Sequence, residues 1–188
     1  MPNTAPHADA AARTVRTGGF FLAGDVNDAD SQPWQLGPAW VQWEAPASGS
    51  TAMPMVFVHG GGGQSTDWLG VSASAPGWAV QAVEAGFPAY LMDRPGHGRS
   101  PYDPARLGAR TSFPDYAGVA AVFVPPAASG DSAAPNPAWA WGREPGSREL
   151  DALVASSGGM LLDTARGQEL DARRLVDLLK IIGRSVLL

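Results

Sequence analysis

The chain has 188 residues, enough for one domain with a sizeable core. Its formal net charge is -5 and its pI is near 5.0, so no basic stripe exists to neutralise phosphates, which argues against nucleic acid or an anionic membrane as the main partner. Cysteine is absent, which excludes disulfides, thiolate metal sites and a cysteine nucleophile. The three histidines, His7, His59 and His97, are too dispersed for ligand spacing, so neither a metal nor a cofactor is expected.

No apolar run approaches the roughly 20 residues of a membrane helix. The start, "MPNTAPHADAAARTVRTGG", has no apolar stretch behind a basic end and does not read as a signal peptide, so a cytoplasmic location is the default expectation. Residues 1–13 read as a flexible polar arm. A strand is predicted around Phe20–Ala23. A second follows in "AWVQWEAP", with Trp40, Gln42 and Glu44 on one face and Val41 and Trp43 on the other; the two are expected to pair antiparallel.

"MPMVFVHGGGG" differs in kind. Its run Met55–Val58 is apolar on both faces, as strands inside a helix-covered parallel sheet are. A short helix is predicted in "APGWAVQAVEAGF", with Trp78, Ala82 and Val83 on one side and Gly86 as its stop. The next buried strand, "FPAYLMD", ends at Asp93. This β-α-β order implies a right-handed crossover and a parallel pair.

From Pro101 to Gly159 the chain is dense in Pro, Gly, Ala and Ser, and residues 101–165 are read as an irregular insert. Tyr102, Phe113, Tyr116, Phe123, Trp139 and Trp141 make it too aromatic for a plain linker, so a cap or lid is expected. "GQELDARRLVDLLKIIG" is the clearest helix. Leu170, Leu175, Leu178, Leu179 and Ile182 form its apolar stripe, Glu169–Arg173 and Arg173–Asp177 are i,i+4 pairs, and Gly183 ends it. "SVLL" then reads as another parallel strand. The expected organisation is an arm (1–13), an N-terminal half-core (14–100), the insert (101–165) and a closing helix with the start of a central strand (166–188).

Chemistry concentrates in "VFVHGGGGQSTDW", which puts His59 and four glycines at the carboxyl end of a buried strand, where open α/β sheets bind ligands. Glycines let the backbone turn with its N–H groups outward, donors suited to an oxyanion. Phosphate cradling would need a lysine, and "GGGGQSTDW" has none.

"VHGGGG", "DRPGHGRS" after the next strand, and the helix leading to "SVLL" together resemble the α/β-hydrolase fold. The likeness extends to a bacterial esterase group that opens with "GGFF"-like and "WVQWEAP"-like strands. It covers roughly residues 15–188 apart from the insert. It implies an α/β fold, the N-terminal part of a hydrolase sheet, in which an antiparallel opening pair precedes parallel strands with crossover helices. Gly61 would supply an oxyanion-hole N–H, with Gly62 as the second choice, and Gly60, Gln64 and Trp68 would touch substrate. His59 is expected to brace the glycine loop rather than act as a base; His97 is read as a turn residue, and Asp93 as a structural partner of Arg94 or Arg99.

The resemblance also says what is missing. A nucleophile elbow would follow the strand begun by "SVLL", with the acid and histidine later still. "ASSGG" at 155–159 lacks the elbow spacing, so Ser156 and Ser157 are not read as nucleophiles. The expectation is therefore a serine esterase whose sheet and catalytic residues are completed by a second polypeptide, probed by a small apolar ester-like substrate. The alternatives are a truncated intact esterase or a non-catalytic binding module built on half a hydrolase fold. Dehalogenases and epoxide hydrolases of this fold usually place proline where this chain has Gly62, which favours acyl transfer.

Overall fold

The computed structural model describes residues 12–29, 31–72, 75–124, 139 and 141–188. The expected arm lies outside them except for its last two residues. The first strand, β1 (Val15–Leu22), begins five residues earlier than predicted and runs antiparallel to β4 (Ala39–Pro46), with Val15 opposite Pro46 and Leu22 opposite Ala39. Between them, β2 (Asp25–Asn27) and β3 (Trp34–Leu36) form a small two-stranded ribbon. Then come β5 (Met55–Val58), a 3-10 turn at Ser65–Trp68, β6 (Gly70–Ser72), β7 (Ala75–Pro76), helix α1 (Trp78–Glu84) and β8 (Ala89–Asp93).

The main sheet has the order β1-β4-β8-β5, with a fifth strand, β9 (Val186–Leu187), outside β5. β4 and β8 are antiparallel, while β5 runs parallel to both β8 and β9. The "SVLL" strand thus sits beside "MVFV", as expected.

The unbroken apolar run of β5 follows from having both faces covered. Val56 joins Leu22, Ala39, Val41 and Met92 under Leu178 on one face; Phe57 joins Ala89 and Leu91 under Ala79, Ala82 and Val83 of α1 on the other. Burying each such side chain stabilises the fold by about 1.5–3 kcal/mol. Trp78 does not share the buried side of α1 as predicted. It stands at the first turn, 62% exposed, with its ring 5.7 Å from that of Trp68.

The insert is less irregular than its composition predicts. It contains α2 (Pro104–Leu107), α3 (Tyr116–Phe123) and α4 (Arg148–Ser156). Asp103 and Asp115 cap the first two, accepting the N–H groups of Ala105 and Gly118. Val119, Val124 and Leu150 make a small separate core joined by Trp139 and Leu153.

Helix α5 (Thr164–Ile182) starts earlier than predicted because Asp163 caps it, accepting the Arg166 N–H at 3.0 Å, and Gly183, at φ +80°, ends it. The Glu169–Arg173 pair is present, but Arg173 also reaches Asp25 at 2.6 Å and does not pair with Asp177. Asp177 instead takes Lys180 at 3.1 Å and Arg174 at 3.3 Å. Among the described residues no helix is long and apolar enough to cross a membrane.

Candidate functional site

Strand β5 delivers His59 to its carboxyl end, where the ring is 3% exposed. The Arg94 backbone N–H donates to its Nε2 at 3.1 Å. That nitrogen must therefore be an acceptor, and in the neutral ring the proton sits on Nδ1, which lies 3.4 Å from the Gly60 carbonyl. Burial first, and then the neighbouring His97, push the imidazole down to about 4. A ring whose acceptor nitrogen is already occupied is poorly suited to general-base work and well suited to holding the two turns together.

The second turn, after β8, is tied just as closely. Asp93 is buried, with Oδ1 accepting the Ser65 N–H at 2.6 Å and Oδ2 accepting the backbone N–H and Nε of Arg99 at 3.0 and 3.1 Å. Arg99 also reaches the Ser65 hydroxyl at 2.7 Å and Gln42 Oε1 at 2.9 Å. Of the two arginines considered for Asp93, Arg99 is its partner. Arg94 turns away to Asp171 on α5, with Nε and one terminal nitrogen 2.7 and 2.6 Å from Oδ2.

Between these anchors the glycines form a tight loop. The Gly63 N–H donates to the Gly60 carbonyl at 2.9 Å, and Gly61 takes φ +48°, a conformation glycine adopts without steric cost. The Gly62 carbonyl accepts the Gly158 N–H at 2.6 Å, and a Cβ on Gly62 would stand 1.9 Å from the Gly158 oxygen. No acceptor among the described residues takes the N–H of Gly60, Gly61 or Gly62.

These glycines floor a cavity of about 700 Å³. Trp68 lines it too, packed 5.4 Å from the Phe57 ring, while Val119, Val122 and Phe123 of α3 and Leu153 of α4 form an apolar opposite wall. Trp139 and Trp141 do not line it; they meet edge to face at 5.0 Å on the insert. Gln64 lies outside this cavity as well, facing an adjoining space and donating to the Ser156 carbonyl at 3.3 Å. Ser156 and Ser157 border the cavity, but both hydroxyls donate to the Leu153 carbonyl, at 3.0 and 2.7 Å, as helix-end residues do. Neither follows a strand.

Three contributors escaped the sequence reading. Asp67 lines the cavity and accepts the Gln64 N–H at 3.1 Å; burial pushes its carboxyl above the ordinary value. Its position three residues after Gln64 is a capping signal that was available to read. Gly158 lines the cavity from the insert, and Arg110, from the same segment, lines the adjoining space that Gln64 faces; neither carried a local signal. Among the described residues no group of three or more His, Asp or Glu could hold a metal ion.

No protein-family model matches the chain. Over 65 residues it is 34% identical to a probable secreted lipase, phiG, from Fungal sp. (strain ATCC 74256), a stretch that covers 35% of this chain and 18% of the lipase. Its fold superposes on a solved structure described as a novel bacterial esterase, with a TM-score of 0.65 and 16% sequence identity, across 95% of this chain and 62% of that one. The chain therefore shares the mixed α/β fold of that solved structure and spans less than two thirds of the length of either protein.

Proposed function

We propose that the chain forms the glycine-loop side of a carboxylic-ester hydrolase. The observation that carries this reading is the set of N–H groups at Gly60–Gly62 left without acceptors at the carboxyl end of β5, beside a largely apolar cavity. In ester cleavage a nucleophile oxygen adds to the acyl carbon, and the carbonyl oxygen becomes an oxyanion. The Gly61 N–H, with Gly62 beside it, would donate to that oxygen; one such donor is worth about 3–4 kcal/mol in the transition state. The alcohol then leaves with a proton, and water releases the acid. Gly60 and Trp68 would bound the acyl or alcohol part, and Gln64 would hold the insert to the loop. His59, Asp93, Arg94 and His97 would keep the loop in shape, and α3 and α4 would act as the cap.

The nucleophile, acid and base would come from polypeptide additional to these 188 residues. The apolar β9 edge supports this, since Val186, Leu187 and Leu188 are all exposed on the strand outside β5. The finer reading makes that polypeptide a separate chain cut from the same precursor. Intact mass of the purified protein tests it, with two species expected; a folded, monomeric 19.5 kDa species alone would sink it. Catalysis is tested with a serine-directed fluorophosphonate and p-nitrophenyl butyrate on the full-length protein. Labelling with turnover is expected; absence of both on every associated chain would leave a binding module.

A further inference from the structure

Beyond the contact between Gly62 and Gly158 lies a second space of about 410 Å³, and its walls are more polar than those of the glycine-loop cavity. His97, Arg110, Gln64 and Phe113 line it. His97 is 5% exposed; its Nδ1 lies 3.1 Å from the Pro95 carbonyl, which leaves Nε2, on the other side of the ring, buried and without any partner. Arg110 stacks on Tyr102, its guanidinium carbon 3.8 Å from the ring centroid, and its Nε and Nη2 are also buried without acceptors.

The other buried side-chain atoms without partners among the described residues are the indole nitrogens of Trp40 and Trp68 and Arg174 Nε. Arg174, the other arginine with a shielded orphan nitrogen, has the carboxylates of Asp25 and Asp177 on Nη2 and the Ala23 carbonyl on Nη1. No carboxylate among the described residues pairs with Arg110. Asp171 is the acid nearest to His97 in effect, and Arg94 already engages it at 2.6 Å. Buried donors without acceptors bear their full desolvation cost, and a guanidinium is best relieved by a planar anion.

We propose that this space binds a carboxylate group, held by Arg110 and by His97 Nε2. The carboxylate is carried either by the substrate, as in a half-ester of a dicarboxylic acid, or by a free small acid; the substrate form rests on the esterase reading above. The proton balance is specific. With Nδ1 donating to Pro95, neutral His97 presents Nε2 as an acceptor, so a bound carboxylate brings one proton, shared between its oxygen and Nε2. Burial first, with Arg94 and Arg110, lowers free His97 and favours its neutral form, against the opposing pull of the Pro95 hydrogen bond and of Asp171 and with His59 5.3 Å away. Binding is therefore expected to take up one proton and to weaken as pH rises.

The test uses the full-length protein with glutarate as the probe, in a calorimeter and in buffers of different ionisation heat. Glutarate should bind with uptake of one proton; Arg110→Gln should weaken it at least about tenfold and Arg110→Lys less, with folding of each variant checked by circular dichroism. No binding by the wild-type protein at millimolar glutarate, or equal binding by all three, would overturn the proposal. A second arm compares kcat/KM for the p-nitrophenyl half-ester of glutarate with that for p-nitrophenyl valerate. A preference for the half-ester that Arg110→Gln abolishes assigns the carboxylate to the substrate, and glutarate binding without that preference assigns it to a free acid. If neither ester is turned over, the esterase reading fails while the calorimetry still decides the site.

Discussion

The Asp93 carboxylate and the Ser65 amide meet at 2.6 Å across 28 residues of chain, and through this bond the turn after β8 fixes the end of the glycine loop. The same carboxylate takes two N–H groups of Arg99, so three donors converge on a buried anion. An asparagine there would point an NH2 at those donors. Asp93→Asn is expected to destabilise the protein by about 3 kcal/mol, the cost of leaving buried donors unpaired. Arg99→Gln should cost less, about 1–2 kcal/mol, because that side chain is 43% exposed and the Asp93 carboxylate keeps the Ser65 and Arg99 backbone N–H groups. Urea midpoints of the two variants check the asymmetry; equal losses would mean that the anion is not the organising group.

The glycines of the loop are not equivalent. A Cβ at Gly60 meets nothing within 4 Å, whereas at Gly62 it would run into the Gly158 backbone oxygen at 1.9 Å. Backbone cannot swing aside as a flexible side chain can, so Gly62→Ala must separate the loop from the insert and break the Gly158–Gly62 hydrogen bond. We expect Gly60→Ala to stay within about 0.5 kcal/mol of the parent and Gly62→Ala to lose more than about 2 kcal/mol. Hydrogen exchange should locate the Gly62→Ala loss at the Gly158 amide; an unchanged rate there would refute the account.

Much of the sheet was readable because its causes are local or periodic. Met55–Val58 is apolar on both faces, Gly183 sits where a helix must end, and the alternation of β4 announces its pairing. What stayed hidden depends on distant partners. Arg173 and Arg174 are neighbours on α5, yet one is 49% exposed and the other 3%, and both reach Asp25, almost 150 residues earlier, a pairing that no local pattern announces. The helices of the insert were obscured by its Pro and Gly content, although Asp103 and Asp115 are sound caps. At the site, the position of His59 before the glycines was legible, but its hydrogen bond from the Arg94 N–H, 35 residues later, was not. The second wall, from α3, α4 and Gly158, was invisible because a cavity is a relation between segments.

His59 also makes stability depend on pH. Its folded value, about 4, lies below the ordinary 6.5, so between those limits the unfolded chain binds more protons than the folded one. The contribution is therefore fully present above pH 6.5 and is lost as pH falls towards 4. A depression of this size corresponds to roughly 3 kcal/mol. His97, also pushed down by burial, acts with the same sign. His59→Gln can still offer an oxygen to the Arg94 N–H but carries no titrating group. Its urea midpoint should fall less between pH 6.5 and 4 than the parent's; parallel curves would rule out His59 as a source of acid lability.

The salt bridges of α5 should divide by burial rather than by number. Arg174 is 3% exposed and donates to Asp25 Oδ1 at 2.5 Å and to the Ala23 carbonyl, so the helix is clamped to the segment following β1. Burial alone would raise the Asp25 carboxyl, but the Arg174 and Arg173 guanidiniums outweigh it and hold the group below its ordinary value. The stability this adds is present above the ordinary carboxylate range near 3.8 and is lost as pH falls below it. Removing the anion leaves the buried Arg174 with only Asp177, at 3.3 Å, as a counter-charge, so Asp25→Asn should cost about 2 kcal/mol and remove that acid-dependent part. Glu169→Gln touches only the exposed Arg173 and should leave stability nearly unchanged. Thermal melts at pH 7 and pH 3 measure both, and a Glu169→Gln loss as large as that of Asp25→Asn would show that burial is not what separates the two pairs.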